Sequence, residues 1–116
     1  MKESSFENLW FWIKSKDLAI IIYKIFKDSK DYWFKDQIQR AWISVWNNIA
    51  EWYERQTNKE LKQFLFIAKW SCGEVRNMLI VWKELWYINQ EYFEELYNLS
   101  TEISKMISWY IKTLDL

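Results

Sequence analysis

Three observations predict an all-α fold, an antiparallel up-down-up-down four-helix bundle. Proline is absent and glycine occurs once, at Gly73, in a chain rich in Lys, Glu, Leu, Ile and Gln. That balance favours long uninterrupted helices over a turn-rich β fold. Apolar residues recur at spacings of three and four in four segments, separated by three short polar breaks. Helices of about 20–28 residues joined by such short loops become antiparallel neighbours. At 116 residues the chain reads as a single domain, 1–116, long enough to bury a core.

The first helix is expected over about 8–28. Ser4-Ser5-Phe6-Glu7 has capping-box spacing, and Asn8 is an equally good cap. Leu9, Trp12, Ile13, Ala19, Ile20, Tyr23 and Phe26 recur at helical spacing, and Ile21 and Ile22 widen the apolar arc. So wide an arc fits either a deeply buried bundle helix or a subunit interface. Asp28-Ser29-Lys30-Asp31 is the first break.

The second helix is expected over 32–55. At about 100° per residue, Ile38, Ala41, Trp42, Val45, Ile49 and Trp52 fall on one arc, with Arg40, Ser44, Asn47 and Glu51 on the opposite one. Gln56-Thr57-Asn58 breaks the pattern. Thr57-Asn58-Lys59-Glu60 then forms a capping box, which starts a third helix over about 58–85. Its core line is Leu61, Phe64 with Leu65, Ala68, Cys72, Val75, Leu79, Trp82 and Trp86. After Trp86-Tyr87-Ile88-Asn89, with Asn89 as cap, the fourth helix covers about 90–113. Phe93, Leu96, Tyr97, Ile103, Met106, Ile107, Tyr110 and Leu114 form its apolar face. Glu91, Glu94 and Glu95 lie in its first turns, where carboxylates favour the positive end of the helix dipole.

The composition speaks against most chemistry. There is no histidine, so Ser/Cys–His nucleophile systems and the Glu-x-x-His di-iron signature are excluded. One cysteine permits neither an intrachain disulfide nor a plausible zinc site. Cys72, inside an apolar run, reads as a small core residue rather than a nucleophile, and a cytoplasmic, reducing compartment fits it. One glycine cannot build a phosphate loop. Glu51 and Glu54 lie three apart on a polar face, where solvated charge is the default reading. No catalytic residue, metal site or cofactor is expected. The longest apolar run, Leu18 to Tyr23, is far short of the roughly 20 residues a membrane span needs.

Two function classes remain. One is a protein–protein scaffold assembling through its apolar excess. The other is a nucleic-acid module using Arg40, Arg55, Lys59, Lys62 and Lys69 near the second helix connection, where basic groups beside Trp and Tyr could pair and stack. Against the latter, basic and acidic residues alternate and the formal net charge is zero.

The second helix and its neighbours also carry a family resemblance. Phe6, Leu9 and Trp12 followed by Leu18-Ala19, then Asp36 to Ala41, Ile43-Ser44 and Asn48 to Glu51, stand in order and spacing with Asn58-Lys59-Glu60, Phe64-Leu65, Ile67-Ala68, Ser71, Glu74, Leu85, Tyr87-Ile88 and Ile103 to Met106. In this order they resemble the 23S rRNA intervening-sequence proteins and, more distantly, the accessory variability proteins of diversity-generating retroelements. The resemblance implies a left-handed up-down bundle that assembles as a homo-oligomeric ring, typically a pentamer, with no enzymatic activity. It implies an adaptor associated with RNA or ribosomes, or with a reverse transcriptase in the retroelement relatives, which are strongly basic where this chain is neutral. Arg40, Ser44, Asn48 and Glu51 are its family-typical polar positions. Asn48 is expected to bond a neighbouring helix, and Arg40 to pair with Glu51 or Glu74.

Ten tryptophans stand against one glycine. Relative to the family, Trp33, Trp42, Trp46, Trp52, Trp70, Trp82, Trp86 and Trp109 replace glycine or another small residue or proline, whereas Trp12 matches. Trp52 and Trp86 fall near expected helix ends, where glycine is favoured. Trp70 and Trp109 fall where small residues would let helices approach. Two explanations stand: UGA codons read as glycine in the native host, or an aromatic enrichment that builds an adhesive surface.

Overall fold

The structure, a computed structural model, describes residues 10–55 and 58–113, without the side chains at 11, 55 and 58–61. The expected caps at Ser4, Asn8 and Thr57, and the core positions Leu9, Leu61 and Leu114, lie outside the described residues. Four helices follow one another: α1 Trp10–Phe26, α2 Tyr32–Arg55, α3 Asn58–Glu84 and α4 Gln90–Thr113. Each packs on its chain neighbours, and α1 also packs on α4; α2 and α3 share the most extensive contact. The molecule measures 45 × 22 × 21 Å, so its length is about that of its longest helix at 1.5 Å per residue.

The core draws on all four helices. On α2 every expected core residue, from Ile38 to Trp52, is buried. On α3 the line Leu65, Ala68, Cys72, Val75, Leu79 and Trp82 is fully buried. On α4 the buried set is Leu96, Ser100, Ile103, Ser104, Ile107 and Ile111, so the face includes two serines and an isoleucine beyond the expected set. Phe93, Met106 and Tyr110 flank it half-buried.

The register of α1 differs from expectation. Ser15, Leu18, Ile22 and Phe26 face inward, while Ile20 and Tyr23 are 46% and 59% exposed. The run Leu18 to Tyr23 is apolar around the whole helix, so its periodicity has no preferred phase. The phase is set instead by Ser15, a small polar residue that the apolar pattern passes over.

The ends of the helices are closed by identifiable groups. Asp31 caps α2: its Oδ1 accepts from the Phe34 amide at 3.2 Å, and its carbonyl accepts from Lys35 N–H. Its other carboxylate oxygen accepts from the Tyr87 hydroxyl at 3.1 Å, joining the first and third connections. Asn89 caps α4 as expected, Oδ1 accepting from the Tyr92 amide at 2.7 Å. The Lys27 carbonyl, just past α1, accepts from Lys35 Nζ.

The C-terminus of α3 is a Schellman motif. The Tyr87 amide donates to the Trp82 carbonyl at 2.9 Å and the Trp86 amide to the Lys83 carbonyl at 3.1 Å. The left-handed residue this motif requires is Trp86, at φ 65°. Its side chain is 92% exposed, so it does not continue the α3 core line. The tryptophans at 70 and 109 are also exposed and do not lie between helices, while Trp52 is buried in the last turn of α2, near its end as expected.

Gly73 occupies a helix interior with ordinary backbone angles, and a Cβ built there would meet only the Arg76 guanidinium, at 4.0 Å. Gly73→Ala is therefore expected to raise unfolding free energy by about 0.5–1 kcal/mol, mainly by restricting the unfolded chain. Urea unfolding of the two proteins measures it, and a destabilised alanine variant contradicts it.

Candidate functional site

The polar family-typical positions of α2 divide into two groups. Ser44 and Asn48, one turn apart, lie half-buried against α3. The Ser71 hydroxyl donates to the Ser44 hydroxyl oxygen at 2.9 Å. Asn48 Nδ2 donates to the Ser44 carbonyl at 2.8 Å and to its hydroxyl oxygen at 3.2 Å. Ser44 thus sits at the seam with α3 rather than on the solvent arc. Asn48 reaches α3 only through it. Arg40 and Glu51 are exposed. Arg40 pairs with Asp36, Nε to Oδ2 at 2.8 Å, one turn back on its own helix, instead of with Glu51 or Glu74. The spacing of four that makes this pair was available in the sequence.

Sequence reasoning missed the partners of this group. Every helix supplies a serine at the middle of the bundle. The Ser15 carbonyl accepts from the Trp42 indole N–H at 2.9 Å, two residues from Ser44 on α2. Ser71 follows on α3. On α4 the fully buried Ser100 lies at 3.5 Å from the Cys72 carbonyl, and its carbonyl and hydroxyl both lie at 3.5 Å from Arg76 Nη1. The sequence carried little signal for it, since a serine adds nothing to an apolar line and Ser44 stands on the polar arc of α2. Small hydroxyl residues there satisfy their own hydrogen bonds and let helices approach.

Cys72 lies in this layer with no exposed surface. Burial pushes its thiol up from 9.0 to about 12, with Arg76 opposing the shift. It is a core residue and not an available nucleophile. Among the described residues no cluster of His, Cys, Asp and Glu has the makings of a metal site. No described helix is long and apolar enough to cross a membrane.

Of the expected basic positions, Arg40 is exposed on α2. Lys62 and Lys69 are half-buried on α3, and the side chains of Arg55 and Lys59 lie outside the described residues. Lys62 does share a shallow concavity of about 340 Å³ with Gln63, Phe66 and Trp70, in which the two aromatic rings lie 6.3 Å apart. The more apolar depression is elsewhere. It runs between α1 and α2, holds about 470 Å³, and is lined by Ala19, Ile20, Tyr23, Trp42, Ile43 and Trp46 among others. Ile20, Tyr23 and Ile43 leave large apolar areas open there.

The model of a protein family, 23S rRNA-intervening sequence protein, matches residues 7–109. Among solved structures, the chain is similar to a protein of unknown function from the S23 ribosomal protein family of Bacteroides thetaiotaomicron. The two are 30% identical with a TM-score of 0.82, over 88% of this chain and 98% of that one. No curated protein matches significantly.

Two measurements test this geometry. Ser44→Ala and Ser71→Ala are each expected to cost about 1 kcal/mol, with the double variant less destabilised than the sum by about 0.5–1 kcal/mol; additive losses contradict a shared bond. At pH 8 burial keeps the Cys72 thiol protonated and away from solvent. A colorimetric disulfide reagent should leave the folded protein unmodified and titrate one thiol after denaturation. Rapid reaction of the folded protein contradicts the burial.

Proposed function

The chain belongs to the 23S rRNA-intervening sequence protein family, and from that membership we propose that it is a non-enzymatic, homo-oligomeric adaptor of the cytoplasm. Its frame is a one-domain, up-down-up-down antiparallel bundle. Short connections between consecutive packed helices support that direction of the helices. The adaptor surface is association with further copies, and the single observation that carries it is the open apolar groove between α1 and α2. A monomer in water gains nothing from leaving Ile20, Tyr23 and Ile43 exposed side by side, whereas burying apolar area on a second copy stabilises by about 25 cal/mol per Å². Those three exposed residues are aliphatic or Tyr, and Trp42 and Trp46 complete the lining.

RNA association is the second part of the reading. The concavity of Lys62, Phe66 and Trp70 offers one cation beside two stacking faces. In an antiparallel pair registered by Ser44 and Ser71, Arg40 lies about 20 Å along the axis from Lys62, so the two would touch separate parts of a nucleic acid. Zero net charge favours a scaffold without nucleic acid as the competing reading.

Size-exclusion with light scattering tests the assembly. Wild type is expected as an oligomer and Ile43→Glu as a monomer with unchanged helical content, because Ile43 is an exposed residue of α2. A monomeric wild type removes the adaptor reading. For RNA, the purified oligomer should retain nucleic acid at low salt and release it as salt rises, and Lys62→Glu should lose it. An oligomer free of RNA at low salt leaves the scaffold.

A further inference from the structure

Position 86 is occupied by a residue that its backbone does not suit. A left-handed conformation brings Cβ against the following carbonyl, so it is disfavoured for every L side chain and most for bulky ones; glycine alone takes it freely. Trp86 adopts φ 65° inside a complete Schellman motif, both of whose bonds are made. The side chain recovers nothing in return, since 92% of its surface faces solvent.

Position 82 is a second, independent misfit. Trp82 is fully buried, and its ring is crowded against that of Phe26. Its indole N–H is buried without an acceptor among the described residues. The crowding sets it apart, since the Trp46 indole N–H is likewise buried without an acceptor among the described residues.

Three further tryptophans, at 33, 70 and 109, each expose more than half their surface. Meanwhile the chain's one glycine stands at 73, in a helix interior where a methyl group fits. Glycine is thus missing where the backbone requires it and present where it does not. Tryptophan and glycine are chemically remote, so repeated exchange of one for the other is not explained by tolerance of similar side chains. One codon connects them: UGA is a stop in most genomes and is read as tryptophan or as glycine in others.

We propose that the codons at 86 and 82 are UGA and that the native host decodes them as glycine. The partner this requires is a glycine-charged tRNA that pairs with UGA in a host where UGA does not terminate translation. Reading those two as glycine gives three glycines and eight tryptophans in the chain, nearer ordinary usage, in which glycine is about 7% of residues. It also provides the Schellman motif with its usual residue. Trp42 shows none of these signs, being buried with its indole bonded to Ser15, and the proposal is not drawn from it.

Peptide mass spectrometry of the protein isolated from its own host, together with the gene sequence, decides the matter. Cleavage after Lys and Arg separates position 82 into peptide 77–83 and position 86 into peptide 84–105. Both peptides are expected lighter than the printed sequence by the difference between a tryptophan and a glycine residue, with UGA at both codons. Tryptophan in either peptide, or UGG at either codon, overturns the proposal. A recombinant test of the backbone argument is separate: Trp86→Gly should raise the melting temperature by about 3–6 °C. No increase would mean that position 86 does not call for glycine, and would remove the structural ground of the inference.

Discussion

The hydrogen bond from the Ser71 hydroxyl to Ser44, at 2.9 Å, is the contact on which the middle of the bundle depends. Polar groups enter a helical core only when their partners enter with them, because an unsatisfied buried hydroxyl costs about 1–3 kcal/mol. Ser71 and Cys72 are adjacent on α3, so a rotation of about 100° turns one toward α2 and the other toward α4. The Cys72 carbonyl faces Ser100 of α4, and Arg76, one turn on, approaches the same serine. The third helix is therefore the hub, and its line from Leu65 to Trp82 is fully buried. The first helix joins this layer through the Ser15 carbonyl and the Trp42 indole, and its contact with α2 is less extensive than that of α3. An open groove beside α1 is the geometric consequence.

How much of this could be read in advance depended on contrast between faces. On α2 the apolar and polar arcs alternate sharply, and all six expected core residues are buried. The start of α4 was equally legible, since an Asn side chain before a helix has one well-defined use. α1 failed where contrast vanished: Ile20 and Tyr23 resemble their inward neighbours in hydropathy, and only the small polar Ser15 marks the true phase. The serine layer was invisible for the same reason reversed, because a hydroxyl at a core position reads as surface until its partner is known. Trp86 was misread as core because apolarity outweighed its place beyond the last turn.

The same contrast separates structural from surface roles at the candidate site. Ser44 and Asn48 are consumed by contacts within the bundle, so the family-typical polar stretch of α2 mainly fixes the α2–α3 register. Arg40 is held by Asp36, and at 75% side-chain exposure that pair adds little to stability. Outside this stretch two concave surfaces open: the aliphatic and Tyr groove of α1 and α2, and the concavity of Lys62, Phe66 and Trp70 on α3. The one surface is suited to area burial and the other to stacking with charge, so they are suited to different partners.

The glycine question follows from the same hierarchy. A bundle fixed by aliphatic residues such as Leu18, Ile22, Ile38, Val45, Ile49, Leu65, Val75, Leu79, Leu96, Ile103 and Ile107 tolerates anomalies at its surface and ends without changing topology. That is why the chain still matches a family model across residues 7–109 and a solved relative at a TM-score of 0.82. The backbone at 86 keeps the left-handed turn and both Schellman bonds despite its side chain. A conformation that persists under an unsuitable residue is set by its surroundings, here the tie between Tyr87 and Asp31 and the start of α4 at Asn89. The fold therefore records what position 86 requires more faithfully than the letter printed there.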